Sequence, residues 1–305
     1  MSGYHRTALA LYAAVVMLAA CAAPAPVVIP SQAPADAIAS GPLQDLLYVS
    51  DLGANAVSFF TYPAGRLMGK LTGFGSVAGL CADKGGDVFV VDEAGGVDVY
   101  AHGGSSPIRR LTTTGAPYGC AADPSTGNLA VTNLSSVEYG AIAVYAKAKG
   151  RPKEYPDNAV SSTYFCGYDD NGNLFIDGWN RSAQVILLEL PKGGRGFHTY
   201  MLTRNVKKPG GVQWDGKYVA IGDQGAGLIY RAGVTGKVAQ TVTLKKGANV
   251  EQFWIAGTTL IGPNAQSFGT VPFWRYPAGG SPTKTMNGFS YPVGVTVSSA
   301  KSLSP

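Results

Sequence analysis

Charge is scarce in this chain. Only 14% of its 305 residues are Asp, Glu, Lys or Arg, where globular domains carry about a quarter. A disordered chain combines high charge with few apolar residues, and 46% of this sequence is hydrophobic, which excludes disorder over most of its length. Helical periodicity is missing too. Beyond the N-terminus no long segment repeats its apolar residues every 3.6 positions, so a helical bundle is excluded. Histidine is limited to three residues. His5 lies in the N-terminal leader, and His102 and His198 fall in outer turns or strands, which leaves the commonest general base out of any centre. No C-x-x-C pair signals a metal cluster, and the serines of GGSSP and NLSSV lack a G-x-S-x-G setting.

What is present begins with a separate leader. Arg6 and the free amine precede the apolar run 8–20, ALALYAAVVMLAA. That run is shorter than the ~20 residues a membrane span needs, and its charged start and small-residue exit read as an export signal. The exit, Leu18-Ala19-Ala20-Cys21, resembles the lipobox of bacterial lipoproteins, whose cysteine thiol receives a diacylglycerol and becomes the new N-terminus. The resemblance implies a signal peptide over 1–21 and a cell-envelope lipoprotein, held by the membrane through its lipid. Ala22 is not the aspartate that retains such proteins at the inner membrane of proteobacteria, so a diderm cell would carry it on the outer membrane. Ordinary cleavage near Ala20-Cys21-Ala22 is the alternative and gives a secreted or periplasmic protein. Residues 22–44, rich in Ala and Pro, read as an extended tether.

Cys81, Cys120 and Cys166 remain once Cys21 is set aside. Export permits disulfides, but an odd number leaves a free thiol. Their surroundings, GLCAD, GCAAD and FCGYD, are apolar, so the three read as small buried hydrophobes, with Cys120–Cys166 the pair to consider for a bridge. The basic residues gather at 147–153, 192–195 and Lys207-Lys208 without interleaved aromatics. That pattern is a solvated rim and not a polyanion site, so nucleic acid is not an expected partner.

The chain repeats itself. TYPAGRLMGKLTGF, from Thr61, returns as RYPAGGSPTKTMNGF, from Arg275, and intermediate copies align on Tyr100, Tyr145, Leu190 and Tyr230. A second column runs LYVSD, VFVVD, LAVTN, LFIDG, VAIGD and LIGPN; the first two alternate β-formers before a turn residue closes them. A third runs through VAGLCADKGG, PYGCAADPSTG, YFCGYDDNG, PGGVQWDGK and PVGVTVSS, several ending in the Asp and Gly of a tight turn. With a less regular fourth element, each unit holds four short strands in about 43 residues, the size of one propeller blade. The domain starts at LLYVSD, a second strand with no first strand before it. It ends at 291–299, YPVGVTVSS, a first strand with no second strand after it. The expected fold is therefore all-β: a six-bladed β-propeller of four-stranded antiparallel blades over 45–300. Its first blade is closed by the C-terminal strand, which leaves no open edge, and a short tail follows at 301–305.

P-x-G-x-x-x-D followed by LYVSD or VFVVD resembles the NHL-type propeller repeat, and more distantly the gluconolactonase/regucalcin-like propellers, over roughly 45–299. Fold does not carry function with it. Gluconolactonase-like members hold one divalent metal at the ring centre through a Glu, an Asn in a P-N-G turn and an Asp. Here the matching turns read PYG, PGG and PVG, at 117–119, 209–211 and 292–294. The early Glu has no counterpart, since the first glutamate is Glu93. Too few oxygen donors remain for a hard cation, so no metal, cofactor or catalytic residue is expected. The reading is a non-catalytic binding or scaffold module for a protein, peptide or glycan, its domain monomeric. A metal-dependent lactonase or related hydrolase with non-standard ligands is the alternative.

Asp51, Asp92, Asn133, Asp223 and Asn264 end second strands and ring one face. Short polar side chains there usually bond to backbone N–H groups of the turn, so the ring reads as structural. The same face is the candidate binding face. Tyr118, Tyr164, Glu251, Gln252 and Tyr291 stand at the starts of first strands, and Trp179, Asn180 and Arg181 form its most prominent turn. Loops 134–140, 178–184 and 264–269 differ most between repeats, as a surface shaped for a partner would. The lipobox gives a direct test. Cys21→Ser is expected to change both membrane fractionation and mature mass; if neither changes, the chain is not lipidated at that residue.

Overall fold

Short runs of Val, Ile, Leu and Tyr closed by polar turn residues become antiparallel strands across residues 44–134, 142–265 and 269–300, which the computed structural model describes. The leader, Cys21, the tether up to residue 43 and the tail 301–305 lie outside the described residues. The first blade takes β1 (Leu46–Asp51), β2 (Ala56–Thr61) and β3 (Leu67–Leu71). The second holds β4 (Val77–Ala82), β5 (Val88–Asp92), β6 (Gly96–Tyr100) and β7 (Pro107–Leu111). The third holds β8 (Pro117–Ala122), β9 (Leu129–Asn133), β10 (Ile142–Tyr145) and β11 (Lys153–Tyr155). The fourth holds β12 (Val160–Tyr168), β13 (Leu174–Asn180), β14 (Val185–Leu190) and β15 (His198–Met201). The fifth holds β16 (Pro209–Trp214), β17 (Val219–Asp223), β18 (Leu228–Ala232) and β19 (Val238–Thr243). The sixth holds β20 (Trp254–Ala256), β21 (Thr259–Ile261), β22 (Val271–Arg275) and β23 (Gly279–Met286). The last strand, β24 (Pro292–Ser298), returns to the first blade.

Six four-stranded sheets result, and the fold is a six-bladed β-propeller. In the first blade the order is β24-β1-β2-β3, with Leu46 opposite Ser298 and Val49 opposite Val295. The echoing Tyr-Pro-Ala-Gly phrases are the turns from third to fourth strand in the first and sixth blades, both with cis Tyr–Pro bonds. In every blade the outermost strand is the least buried. β5 and β24 are buried throughout, while β15 and most of β7 face solvent. A strand that packs on neither face needs no fixed apolar pattern, which is why the fourth column is irregular in sequence.

The cores are the seams between blades. Tyr48, Phe59, Leu80 and Val90 fill the first-to-second seam, and Ile176, Ile186, Ala130 and Ile142 the third-to-fourth. The seam from sixth to first joins Ile261 and Phe273 to Leu47, Val49 and Val295, so closure of the ring is also burial of a core.

Innermost strands approach one another closely where the P-x-G column places glycine. A Cβ on Gly79 would stand 2.8 Å from the carbonyl oxygen of Tyr118 in the next blade. One on Gly119 would stand 2.6 Å from that of Tyr164, and one on Gly294 2.7 Å from that of Ala78. Real Cβ atoms do not come within 3.0 Å, so this column is a packing requirement. In the fourth and sixth blades it holds Phe165 and Gln252 instead.

The cysteines depart from the expectation of three buried hydrophobes. Cys81 and Cys120 form a disulfide between the innermost strands of the second and third blades, 39 residues apart in sequence, and Cys166 is free and buried. Cys120–Cys166 does not form because successive side chains on a strand point to opposite sides. Cys120 faces the second blade with Cys81, and it is Ala121 that shares a core with Cys166.

Deleting 291–305 removes β24 and with it the buried Val293, Val295 and Val297. Each buried valine contributes about 1.5–3 kcal/mol, so the loss rivals the roughly 5–15 kcal/mol of a whole domain. The truncated chain is expected to lose its cooperative melting transition or to associate through the opened edge. A monomer melting at the full-length temperature would contradict the shared blade.

Candidate functional site

First strands begin, and second strands end, on one face of the disc, here called upper; first strands end in tight turns on the lower face. On the upper face the Asp/Asn column spends its oxygens on backbone. Asp51 accepts from Ser290 N, Tyr291 N and Ala54 N at 2.8, 2.7 and 3.3 Å. Asp92 accepts from Gly75, Ser76 and Ala94, and Asp223 from Lys207, Lys208 and Gly225. Asn133 accepts from Ala116 N and donates to Thr114 O, and Asn264 donates to Lys246 O. Each pins the chain arriving from the preceding blade to its own hairpin. Burial opposes the charge on Asp92, but three N–H donors and Arg110 outweigh it and hold the carboxyl below its ordinary range.

Two contacts close the upper end of the channel. The Tyr118 hydroxyl donates to Glu251 Oε2 at 2.7 Å, spanning from third blade to sixth, and its ring meets Tyr164 edge-on at 5.6 Å. Burial, then the charge of Glu251, pushes the Tyr118 phenol well above its ordinary value. Glu93 is raised by burial and by Glu251 and Asp92. Just below, Gln252 crosses the channel. Its Oε1 accepts from Leu80 N at 3.0 Å and Val295 N at 3.2 Å, and its Nε2 donates to Leu80 O at 2.6 Å. One side chain thus ties the sixth blade to the second and the first.

The channel below this bridge is a blind cup of about 400 Å³ that opens on the lower face. Leu80, Gln252 and Phe253 form its floor, and Ala122, Tyr168, Trp214 and Trp254 stand in its wall. The disulfide and Cys166 border it, but burial pushes the Cys166 thiol far up, so it is not a nucleophile. At the rim Trp214 Nε1 donates to Asp170 Oδ2 at 2.9 Å, and Lys84 stands exposed. Asp177 is fully buried beside the channel and accepts from Phe165 N at 2.8 Å; burial raises its carboxyl well above the usual range. Among the described residues no three His, Cys, Asp or Glu side chains come together as metal ligands.

The structure brings Tyr118, Tyr164, Glu251 and Gln252 together at the channel. Tyr291, at the entry to β24, has its N–H on Asp51 and its carbonyl accepting from Leu52 N. Trp179 packs with Val185, Val206 and Tyr230 in another seam cluster. Asn180 is occupied within its own turn, accepting from Ser182 N and Gln184 N, and Arg181 is exposed beside it. Residues 135–141 and 266–268 of the divergent loops lie outside the described residues. Sequence reasoning missed the cup, although a signal was there: VEQ, at 250–252, breaks the glycine column.

No protein-family model matches the chain, and no curated protein matches it in sequence. Its fold is similar to the crystal structure of a protein of unknown function from Bacteroides caccae, with a TM-score of 0.65 and 13% identity over 83% of this chain and 98% of that one.

Gln252→Ala leaves Leu80 N, Leu80 O and Val295 N without their partner. Each buried polar group left unmade costs about 1–3 kcal/mol, and water from the cup recovers part of it. The expected result is a loss of about 2–4 kcal/mol in denaturant unfolding. An unchanged midpoint would show that the bridge contributes nothing to closure.

Proposed function

We propose that this chain is an exported, lipid-anchored β-propeller that acts as a non-catalytic binding module at the cell envelope and takes its ligand in the lower-face cup. The observation that carries the reading is the blind channel. Its upper end is closed by Tyr118–Glu251 and by Gln252, while its lower end opens into a concavity lined by four aromatic residues, Tyr168, Trp214, Phe253 and Trp254. Concave sites of a few hundred Å³ with aromatic walls and a few polar groups are where ligands bind. The Cys81–Cys120 disulfide supports export, since such bonds persist in oxidising compartments, and the LAAC lipobox supports the anchor. A protein, a peptide or a glycan presents ends that fit a cup of this size.

The sequence also points to the upper face, through Trp179 and Arg181. The cup is favoured because Trp179 is half-buried in packing and Asn180 beside it is engaged within its own turn. The lactonase alternative gains no support from the donor set: Glu251 is engaged by Tyr118, and the Asp column by backbone.

Filling the cup tests the reading. With the purified full chain as bait for solubilised envelope components, Ala122→Trp is expected to lose a ligand that Trp179→Ala with Arg181→Ala retains. The reverse pattern would move the site to the upper face. Chelator-sensitive hydrolysis of sugar lactones would promote the enzymatic alternative.

A further inference from the structure

The lower cup is walled by the free edges of innermost strands, and this deepens the binding reading above, on which it rests. In an antiparallel pair, successive residues direct their N–H and C=O alternately toward the partner strand and away from it. Asp83, Asp123, Asp169 and Asp215 donate their N–H groups to Asp87, Asn128, Asn173 and Tyr218 across the lower turns. The residues just before them therefore turn their N–H and C=O the other way, into the cup. These are Ala82, Ala122, Tyr168 and Trp214, all in the cup wall.

The protein already uses two such edge positions in one particular way. Gln252 holds Leu80 by both backbone groups, N–H to Oε1 at 3.0 Å and Nε2 to C=O at 2.6 Å. Gln213 holds Ile255 in the same fashion, N–H to Oε1 at 2.7 Å and Nε2 to C=O at 3.2 Å. In both cases a carboxamide docks side-on against one residue of a free strand edge, its oxygen on N–H and its nitrogen on C=O. Ile255 occupies in the sixth blade the register place that Trp214 occupies in the fifth. The four open positions thus offer the donor–acceptor pair that the glutamines fill elsewhere.

We propose that the cup recognises a primary carboxamide, carried by an Asn or Gln side chain or an amidated end of a peptide and paired side-on to one of these backbone edges, since a trans secondary amide holds its N–H opposite its oxygen and cannot meet both groups of one residue. Tyr168, Trp214 and Trp254 supply apolar faces for the chain that carries it. Charge plays no part at the floor, which Leu80, Gln252 and Phe253 form; the charged side chains of the lining, Asp83, Lys84 and Asp170, belong to the lower turns. A ligand with hydroxyls alone can meet either the donor or the acceptor of an edge position, but it lacks the planar amide that meets both at fixed spacing.

Ligand-observed NMR titration of the full chain with N-acetylglucosamine, N-acetylglycinamide and glucose distinguishes the outcomes. N-acetylglycinamide, which ends in a primary carboxamide, is expected to bind more tightly than either sugar by about tenfold, the worth of one to two net hydrogen bonds. N-acetylglucosamine binding as tightly as N-acetylglycinamide would overturn the side-on pairing, because its amide N–H lies opposite its oxygen. Ala122→Trp is expected to abolish that binding, and Trp214→Phe, which keeps a ring at the rim, to retain most of it. Glucose binding as tightly as N-acetylglycinamide, or no binding by any probe, would overturn the carboxamide assignment. If Ala122→Trp still loses its envelope ligand in that case, the cup stands as the binding site with a different chemistry. Amide binding that Ala122→Trp leaves intact would place the amide outside the cup and overturn the inference.

Discussion

The contact on which this structure depends is the approach of one innermost strand to the carbonyl of the next. Six blades close only if their inner edges meet near the axis, and at that radius the column that faces the neighbouring blade has no room for a Cβ. Gly79, Gly119 and Gly294 meet that demand by having none, and Gly211 does the same beside Phe253. Overpacking a site of this kind costs about 1–3 kcal/mol even where neighbours can shift. A backbone carbonyl shifts less readily than a side chain.

Where the column departs from glycine, the departure shapes the channel. Phe165 in the fourth blade packs into the seam with Val212 and Ile221. Gln252 in the sixth blade turns into the channel instead and bonds to the backbone of two other blades. The irregular blade thus closes the ring, and the same side chain converts a through-channel into a cup. Stability and site share one residue.

Outer parts of the disc are held by charge and ring contacts that cross between the fifth and sixth blades. Arg231 Nε donates to Asp215 Oδ2 at 2.6 Å, the Tyr276 hydroxyl donates to the same oxygen at 2.6 Å, and the guanidinium lies 4.8 Å over the Tyr218 ring. Burial disfavours the Asp215 charge, yet these donors and two backbone N–H groups hold its carboxyl below the ordinary range. Its contribution to stability is therefore complete above the unfolded carboxylate value and fades as pH falls through the lower folded one. Tyr276 belongs to the repeated Tyr-Pro-Ala-Gly phrase. In the first blade its counterpart, Tyr62, instead packs against the sixth-to-first seam.

Much of the fold was legible because a propeller repeats its local chemistry. Short runs of β-formers, closed by Asp or Asn in five of the six blades and by Gly178 in the fourth, marked the second strands, and the orphan strands at 46–51 and 292–298 announced a blade shared between the termini. The polar ends of the second strands could be read as turn ligands from residue type alone, since a short side chain at a strand end reaches little else. The site was not legible in the same way. The glycines of P-x-G were read for an asparagine that is absent, when their meaning lies in a neighbouring blade some 40 residues away. Cys81 chose Cys120 over any pairing with Cys166 because strand alternation sets which side of a blade each sulfur faces, and a one-residue offset reverses it. The sequence by itself determined the strands, their number and the closure of the ring, all of which follow from local pattern and its period. Only the tertiary structure decided which end of the channel is open, because that depends on where Gln252 and Tyr118 meet residues of other blades. Such meetings are set by the circular arrangement and leave no periodic trace in the chain.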